Sequence, residues 1–332
     1  MPRIFHLWLT LAAFLLVAGC GGDSANDAPA PKEKDWKPLV NAQRAFADLT
    51  EFANLGGMSH LPARREALAS GRRLIRSKLR EAGFEARDII TDSWTQKIPR
   101  LNGGGLRTTT MKNILATLPG QRPEMIAIAC HYDTKMMSET FVGANDGCSG
   151  VALTLELARQ LRAKSKDERA FTYVFAFLDG EEAVVDWRAK YEEVPDNCYG
   201  SRRLANQSDR FPIQTVILLD MVGDADLELV YEKSSHPDLN DLFTQTAKDV
   251  FGIDIFGGMK EIQDDHIPFK EAGMSRVIDL IDFDYGPGNS YWHKPADTVE
   301  HCSAKSLERV GTLVMAALPR VESWLKKELA RK

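Results

Sequence analysis

Apolar side chains recur every three to four positions from Val40 to Leu55, with Ala42, Phe46, Leu49 and Ala53 on one face. Gly56-Gly57 closes the run, so the spacing predicts a first helix. A second, basic and amphipathic helix is predicted from Pro62 to Ala82, stopped by Gly83; its Arg and Lys residues read as a solvated face. The pattern then changes. Thr108 to Leu118 reads as a strand ended by Pro119-Gly120, and Met125 to Cys130 is an unbroken apolar run of the kind buried on both faces. Phe171 to Leu178, Thr215 to Met221 and Arg276 to Ile281 repeat that strand pattern. Helical spacing returns at Ser149 to Lys164, Pro237 to Phe251 and Ser303 to Leu329. Strands separated by helices predict one α/β domain of three layers, with a mixed, mostly parallel sheet covered by helices on both faces.

The first residues have a different pattern. Arg3 precedes the apolar run Leu7 to Val17, and the small residues Ala18-Gly19 lead into Cys20. A charged start, a short apolar core and a small-residue cleavage site predict a secretory signal at 1–19. Leu16-Val17-Ala18-Gly19-Cys20 resembles the lipobox of bacterial lipoproteins, which implies lipidation at Cys20 and anchoring to a membrane of the cell envelope. Gly21 to about Lys37 is rich in Gly, Ser, Asp, Ala, Pro and Lys, so 20–37 is expected to be a tether and 38–332 the catalytic domain.

Charge narrows the function. The net charge is −5 with both signs mixed along the chain. No basic patch points to nucleic acid, and no later segment could span a membrane as a helix. The acids and histidines gather where the predicted strands end: His131-Tyr132-Asp133, Asp179-Gly180-Glu181-Glu182 and Asp220. Chemistry in such sheets collects at the carboxyl ends of the strands. Like charges crowded there repel unless a cation neutralises them. His131, Asp146, Glu182, Asp220 and His293 supply imidazole and carboxylate donors, a set that suits Zn²⁺ with one position open to substrate. The charged segment Asp186 to Asn197 reads as a loop over that site.

These residues lie in motifs that resemble the zinc aminopeptidase clan of M28 type: His131-Tyr132-Asp133, Gly143-Ala144-Asn145-Asp146-Gly147, Asp179-Gly180-Glu181-Glu182, Asp220-Met221-Val222-Gly223 and His293-Lys294-Pro295. The resemblance runs from Asn113 to about Arg309. It implies a zinc aminopeptidase-like fold, with Asp146 bridging two metals held by His131 and Asp220 on one side and Glu182 and His293 on the other. Within the clan, Asp179 to Ala183 with Trp187, Gln263-Asp264-Asp265-His266-Ile267-Pro268-Phe269 and Trp292-His293 are closer to the glutaminyl-peptide cyclotransferase family. That likeness implies one zinc on Asp146, Glu182 and His293, with Glu181 as proton shuttle. It also implies an acidic network of Asp220 and Asp264, and a substrate pocket of Gln263, Trp187 and Trp292. The expected substrates are peptide or protein N-termini, and the expected state is a monomer. Asp220 to Gly223 and His293 to Pro295 are also similar to the peptidase branch, so a two-zinc aminopeptidase stands as the alternative. Intact Glu181 and the full ligand set argue against a binding module without activity.

Apart from Cys20, the cysteines are Cys130, Cys148, Cys198 and Cys302, enough for two bridges in an exported protein. Cys130 and Cys148 flank the presumed site and form the first candidate pair; four free thiols are the alternative.

Overall fold

Strands sealed on both faces form the centre of the molecule. The computed structural model describes residues 33–137 and 141–331. The expected signal segment 1–19, the lipidation site Cys20 and the tether up to residue 32 lie outside the described residues.

The strands in chain order are β1 (Ile89–Pro99), β2 (Leu106–Leu118), β3 (Arg122–His131), β4 (Phe171–Leu178), a minimal hairpin β5 (Lys190–Tyr191) and β6 (Val194–Pro195), β7 (Ile213–Asp220), β8 (Leu229–Glu232), β9 (Phe256–Lys260) and β10 (Val277–Ile281). The α-helices are α1 (Ala42–Ala53), α2 (Arg65–Glu81), α3 (Cys148–Ala163), α4 (Tyr199–Ala205), α5 (Pro237–Phe251), α6 (His266–Glu271) and α7 (Ala304–Ala330). Six strands form one sheet in the order β1-β2-β4-β3-β7-β10. The strands β4, β3, β7 and β10 run parallel, whereas β2 is antiparallel to β4 and to β1. The predicted mixed, mostly parallel sheet is what forms.

Alternation along the central strands sorts side chains by size. Phe171, Tyr173, Phe175 and Phe177 of β4, with Ile126 and Ile128 of β3, enter the larger core under α1, α2, α3, α5 and α7. Val174 and Ala176 of β4, with Ala127 and Ala129 of β3, face the opposite side, where Leu204 of α4 and Phe269 of α6 cover them. Bulky residues thus meet the long helices and small residues meet the short ones. At the centre of the main face α3 lies almost on the strands: a Cβ on Gly150 would stand 2.5 Å from the Leu219 carbonyl oxygen. That close approach brings the N-terminus of α3 to the ends of β3 and β7.

Several expectations need correction. β1 was assigned no element, and it pairs with β2 along its full length from Ile89↔Ala116 to Pro99↔Leu106. Residues 33–37, expected as tether, pack on the domain. The Lys34 amide donates to the Phe251 carbonyl at 2.6 Å, Trp36 meets Phe251 edge-on at 4.9 Å, and Glu33 pairs with Arg309 at 2.7 Å. The candidate Cys130–Cys148 bridge is not formed; all four described cysteines are buried free thiols. Cys130 is packed beside Thr154, and the Cys302 thiol turns to the Thr298 carbonyl. No described helix is long and apolar enough to cross a membrane.

Asp179, which follows β4, ties α2 and the loop before it to the sheet. Its sealed carboxylate meets His60 Nε2 at 2.8 Å and Arg72 Nη2 at 2.5 Å, and accepts from the Lys112 amide at 2.6 Å. Burial pushes its pKa up, but His60, Arg72 and the Lys112 amide outweigh that and hold it at about 2. Removing one partner of a buried ion pair costs about 3–5 kcal/mol. Asp179→Asn is therefore expected to lower stability by about that much at pH 7 in urea unfolding. The folded pKa lies below the unfolded value of about 3.9, so the contribution is complete above about pH 4 and drains away as pH falls toward 2. The gap between wild type and variant should close over the same range.

Candidate metal centre and active site

Tight turns bring the acids into register. Gly143 takes φ 69°, and a Cβ there would lie 2.6 Å from both the Asp146 carbonyl and Thr134 Cγ2. Only glycine fits that turn, and it turns the chain so that Asp146 faces the strand ends. Asp297 holds the same loop from the far side: its carboxylate accepts from the amides of Asn145 at 2.7 Å and Asp146 at 3.2 Å, and from Tyr285 Oη at 3.0 Å. Asp133 does the equivalent for the β4 exit, accepting from the amides of Gly180 at 2.8 Å and Glu181 at 3.1 Å. The Asn145 side-chain oxygen accepts from the Gly223 amide at 2.8 Å, which fixes the turn after Asp220. Met221 and His293, in left-handed conformations at φ 48° and 51°, bend the chain beside two site residues.

Two groups of donors result, sharing Asp146. In the first, His293 Nε2 stands 3.2 Å from Asp146 Oδ2 and 3.1 Å from Glu182 Oε1. In the second, His131 Nε2 lies 3.0 Å from Asp220 Oδ1 and 3.4 Å from Asp146 Oδ1. Within each group one donor atom per residue lies within 4.8 Å of the others.

The first group fits a metal on its own evidence. Asp146 Oδ2 and Glu182 Oε2 are buried and accept no well-formed hydrogen bond, although His293 Nε2 and Lys135 Nζ stand 3.2 Å away. Orphaned buried carboxylate oxygens are costly, and a divalent cation among imidazole and carboxylate donors removes the cost. The electrostatics agree. Burial opposes a charge on His293, but Glu182 and Asp146 outweigh it and push its pKa up to about 10. The pair of carboxylates thus draws positive charge to this point. In the second group His131 Nε2 pairs with Asp220 Oδ1 at 3.0 Å, as His293 Nε2 does with Glu182 Oε1 at 3.1 Å, but neither His131 nor Asp220 keeps an orphaned atom.

Glu181 stands free of both groups. Its carboxyl is buried, 3.9 Å from His131 Nδ1. Burial, with Glu182, Asp264 and Asp265, holds its pKa well above the usual carboxylate range, against the pull of His131. Burial, followed by Asp220 and Asp265, raises Asp264 in the same way.

These groups border a cavity of about 660 Å³. Asp146, Glu182 and His293 line it together with Glu181, Asp220 and Asp264, and so do Gln263, Trp187 and Trp292. Every residue expected at the site lines this cavity except His131, which is 1% exposed. Trp292 stacks on the His293 ring at 4.0 Å and 21°, so one aromatic face both walls the cavity and orients the imidazole. Phe283 backs Trp292 at 5.0 Å. The sequence reading missed Phe283 and Ile281 as lining residues, and gave no role to Lys135, Tyr285 or Asp297. Trp187 and Arg188 belong to the charged segment expected to cover the site, and both line the cavity.

Residues 113–318 match Peptidase family M28. Over 219 residues the chain is 33% identical to a glutaminyl-peptide cyclotransferase-like protein of Mus musculus, covering 56% of this chain and 54% of that protein. Over 216 residues it is 29% identical to Aminopeptidase YwaD of Bacillus subtilis (strain 168), covering 60% of this chain and 41% of that protein. The chain therefore spans less than two thirds of the length of these relatives. The crystal structure of a glutaminyl cyclase from an Acidobacteriales bacterium is similar with a TM-score of 0.73 at 29% identity, covering 92% of this chain and 99% of that one. With its motifs, its sheet and its paired donor groups in place, the chain belongs to peptidase family M28.

Proposed function

We propose that this chain is a zinc-dependent glutaminyl-peptide cyclotransferase, converting the N-terminal glutamine of peptides or proteins to pyroglutamate with release of ammonia. One observation carries this reading above a two-zinc aminopeptidase. His131 and Asp220 keep no orphaned atom, whereas Asp146 Oδ2, 3.2 Å from His293 Nε2, and Glu182 Oε2, 3.2 Å from Lys135 Nζ, do. That difference supports a single cation at Asp146, Glu182 and His293. The relatives named as glutaminyl cyclases support the same choice.

Asp146, Glu182 and His293 would hold the zinc. Bound there, zinc supplies Lewis acidity toward the γ-amide carbonyl of the substrate glutamine. Glu181 accepts a proton from the α-amine as its nitrogen attacks the γ-amide carbon, and delivers a proton to the departing ammonia. A carboxyl lifted well above its usual range is matched to both halves of that task. Asp220 and Asp264 complete the acidic network around it. Because the nucleophile and the amide belong to one residue, the chain mainly has to hold a reactive conformer in a small cavity. Trp292, Trp187 and Gln263 wall that cavity. The alternative, a two-zinc aminopeptidase, keeps His131, Asp146 and Asp220 as its second metal group.

Export and anchoring belong to the same proposal. The run ending in Ala18-Gly19-Cys20 supports a lipoprotein held to a bacterial membrane through Cys20, acting as a monomer on peptide N-termini. Cys20→Ser is expected to move the protein from the membrane fraction to the soluble fraction; unchanged membrane association would contradict the anchor.

A peptide pair separates the two activities. Incubation with a Gln-initiated and a Leu-initiated peptide should remove one ammonia from the first and leave the second intact by mass spectrometry; free leucine would overturn the cyclase reading. Two substitutions test the roles. Glu181→Gln keeps every zinc donor, so it should lower kcat by about 10²–10⁴-fold with zinc retained. His293→Ala should instead release zinc at chelator concentrations that leave the parent loaded. The reverse pattern would refute the assignment.

A further inference from the structure

The edge hairpin of β1 and β2 carries charge that the proposed reaction does not use. β2 pairs with β4 from Ile114↔Phe177 to Leu118↔Tyr173, and β4 ends at Leu178. Leu106 to Lys112 therefore run on past the end of β4, with β1 still beside them as far as Pro99↔Leu106. At about 3.4 Å per residue this overhang is about 24 Å long. It projects from the end of the sheet where Asp179, Glu181 and Glu182 follow β4.

A pocket of about 430 Å³ lies against the overhang, lined by Lys97, Arg100, Leu106, Arg107 and Thr108. Cations dominate that lining, and no acid belongs to it. Arg107 is held in place: its Nη2 donates to the His60 carbonyl at 2.9 Å and lies 3.6 Å from Met136 Sδ. Burial, then the charges of Arg65 and Arg100, pulls its pKa down. Arg65 opens α2, so the positive end of that helix adds to the same field. Arg65 and Arg100 are exposed. The acids beside this group are committed elsewhere, Glu66 to Arg73 at 2.6 Å and Glu192 to Lys97 at 2.9 Å. Among the described residues, Arg65, Arg100 and Arg107 have no carboxylate within 4.0 Å. Like charges left together unanswered are costly, and an anion removes the cost.

The hairpin is joined to the cavity. Lys97 holds Glu192 of the segment that covers the site, and Ile98 of β1 shares an apolar cluster with Val184 at the root of that segment. Arg188 of the same segment lines the cavity, exposed and likewise without a carboxylate partner among the described residues. Glu261 also borders the cavity, but it follows β9, which pairs with β8 beside β10, at the sheet edge opposite β1. The rim is thus basic toward the hairpin.

We propose that Arg188, Arg65, Arg100 and Arg107 form a basic track for acidic side chains of the substrate downstream of its N-terminal glutamine. The favoured substrates are then peptides or proteins in which a run of Asp or Glu follows the glutamine by several residues. This rests on the reading of the cavity as the seat of that glutamine. An extended chain advances about 3.3 Å per residue, so the hairpin meets later side chains and not the glutamine itself.

Three Gln-initiated peptides of equal length test this, identical except for a downstream run of glutamate, serine or lysine. With the full chain, the glutamate peptide should have a KM about 5- to 20-fold below that of the serine peptide, and the lysine peptide a KM above both. The kcat values should be alike, because these contacts hold ground state and transition state equally. Rising salt should erase the differences. Arg65→Ala/Arg100→Ala should bring the glutamate peptide to the KM of the serine peptide with zinc content unchanged. Equal KM for those two peptides in the parent, or an undiminished advantage in the double variant, would overturn the proposal. So would a flat peptide ranking together with binding of the Cys20→Ser chain to phosphatidylglycerol vesicles that the two arginine substitutions abolish, since the patch would then serve a lipid surface. Titration calorimetry with the same peptides does not depend on turnover. If the parent cyclises none of them, the cyclase reading falls; tighter binding of the glutamate peptide, lost in the double variant, still upholds the track, and equal binding of all three refutes it.

Discussion

Buried carboxyls crowd the strand ends, among them Asp146, Glu181, Glu182, Asp220, Asp264 and Asp265, with Asp279 of β10 close to Asp264. Two like charges about 4 Å apart repel by about 4 kcal/mol even at an effective dielectric constant of 20, so the fold cannot hold them all ionised and unanswered. The structure answers them unevenly. His131 serves Asp220 and Asp146, Lys135 and His293 serve Glu182, and His266 bridges Glu232 and Asp279. What remains is a set of orphaned oxygens on Asp146, Glu182, Asp264, Asp265 and Asp279. A metal would complete the first two.

The scaffold keeps the cluster in place with groups that never meet substrate. Asp133 and Asp297 bind backbone amides at the roots of the Glu181 and Asp146 loops. Gly143 and Gly150 permit approaches that no side chain would allow. Asp179 pins α2 beneath the same strand end. Rigid strand ends and satisfied loop amides are what pre-organisation means here.

The sealed strands were legible in the sequence because burial on both faces leaves an uninterrupted apolar run, as in β3 and β4. β1 was not. It is an edge strand with exposed Thr91, Ser93, Thr95 and buried Asp92, so charge and partial exposure blur its period. The short α4 and α6 offer too few turns for a periodic signal. The donors were legible through motif resemblance and their place after apolar runs. Asp133 stood inside a quoted motif and Asp297 just beyond one, but their work is hydrogen bonding to amides about 50 and 150 residues away, respectively, which no local pattern encodes. Asp279 is the one acid in the apolar strand β10. Its neighbours His266 of α6 and, through His266, Glu232 of β8 meet it only in the fold.

Anomalous diffraction at the zinc edge, from crystals of the purified domain, measures how the carboxylate charge is answered. The account predicts one strong peak per chain, contacted by Asp146, Glu182 and His293, with His131 and Asp220 still bonded to each other. A second peak of equal strength between His131 and Asp220, or a lone peak that avoids His293, would contradict it.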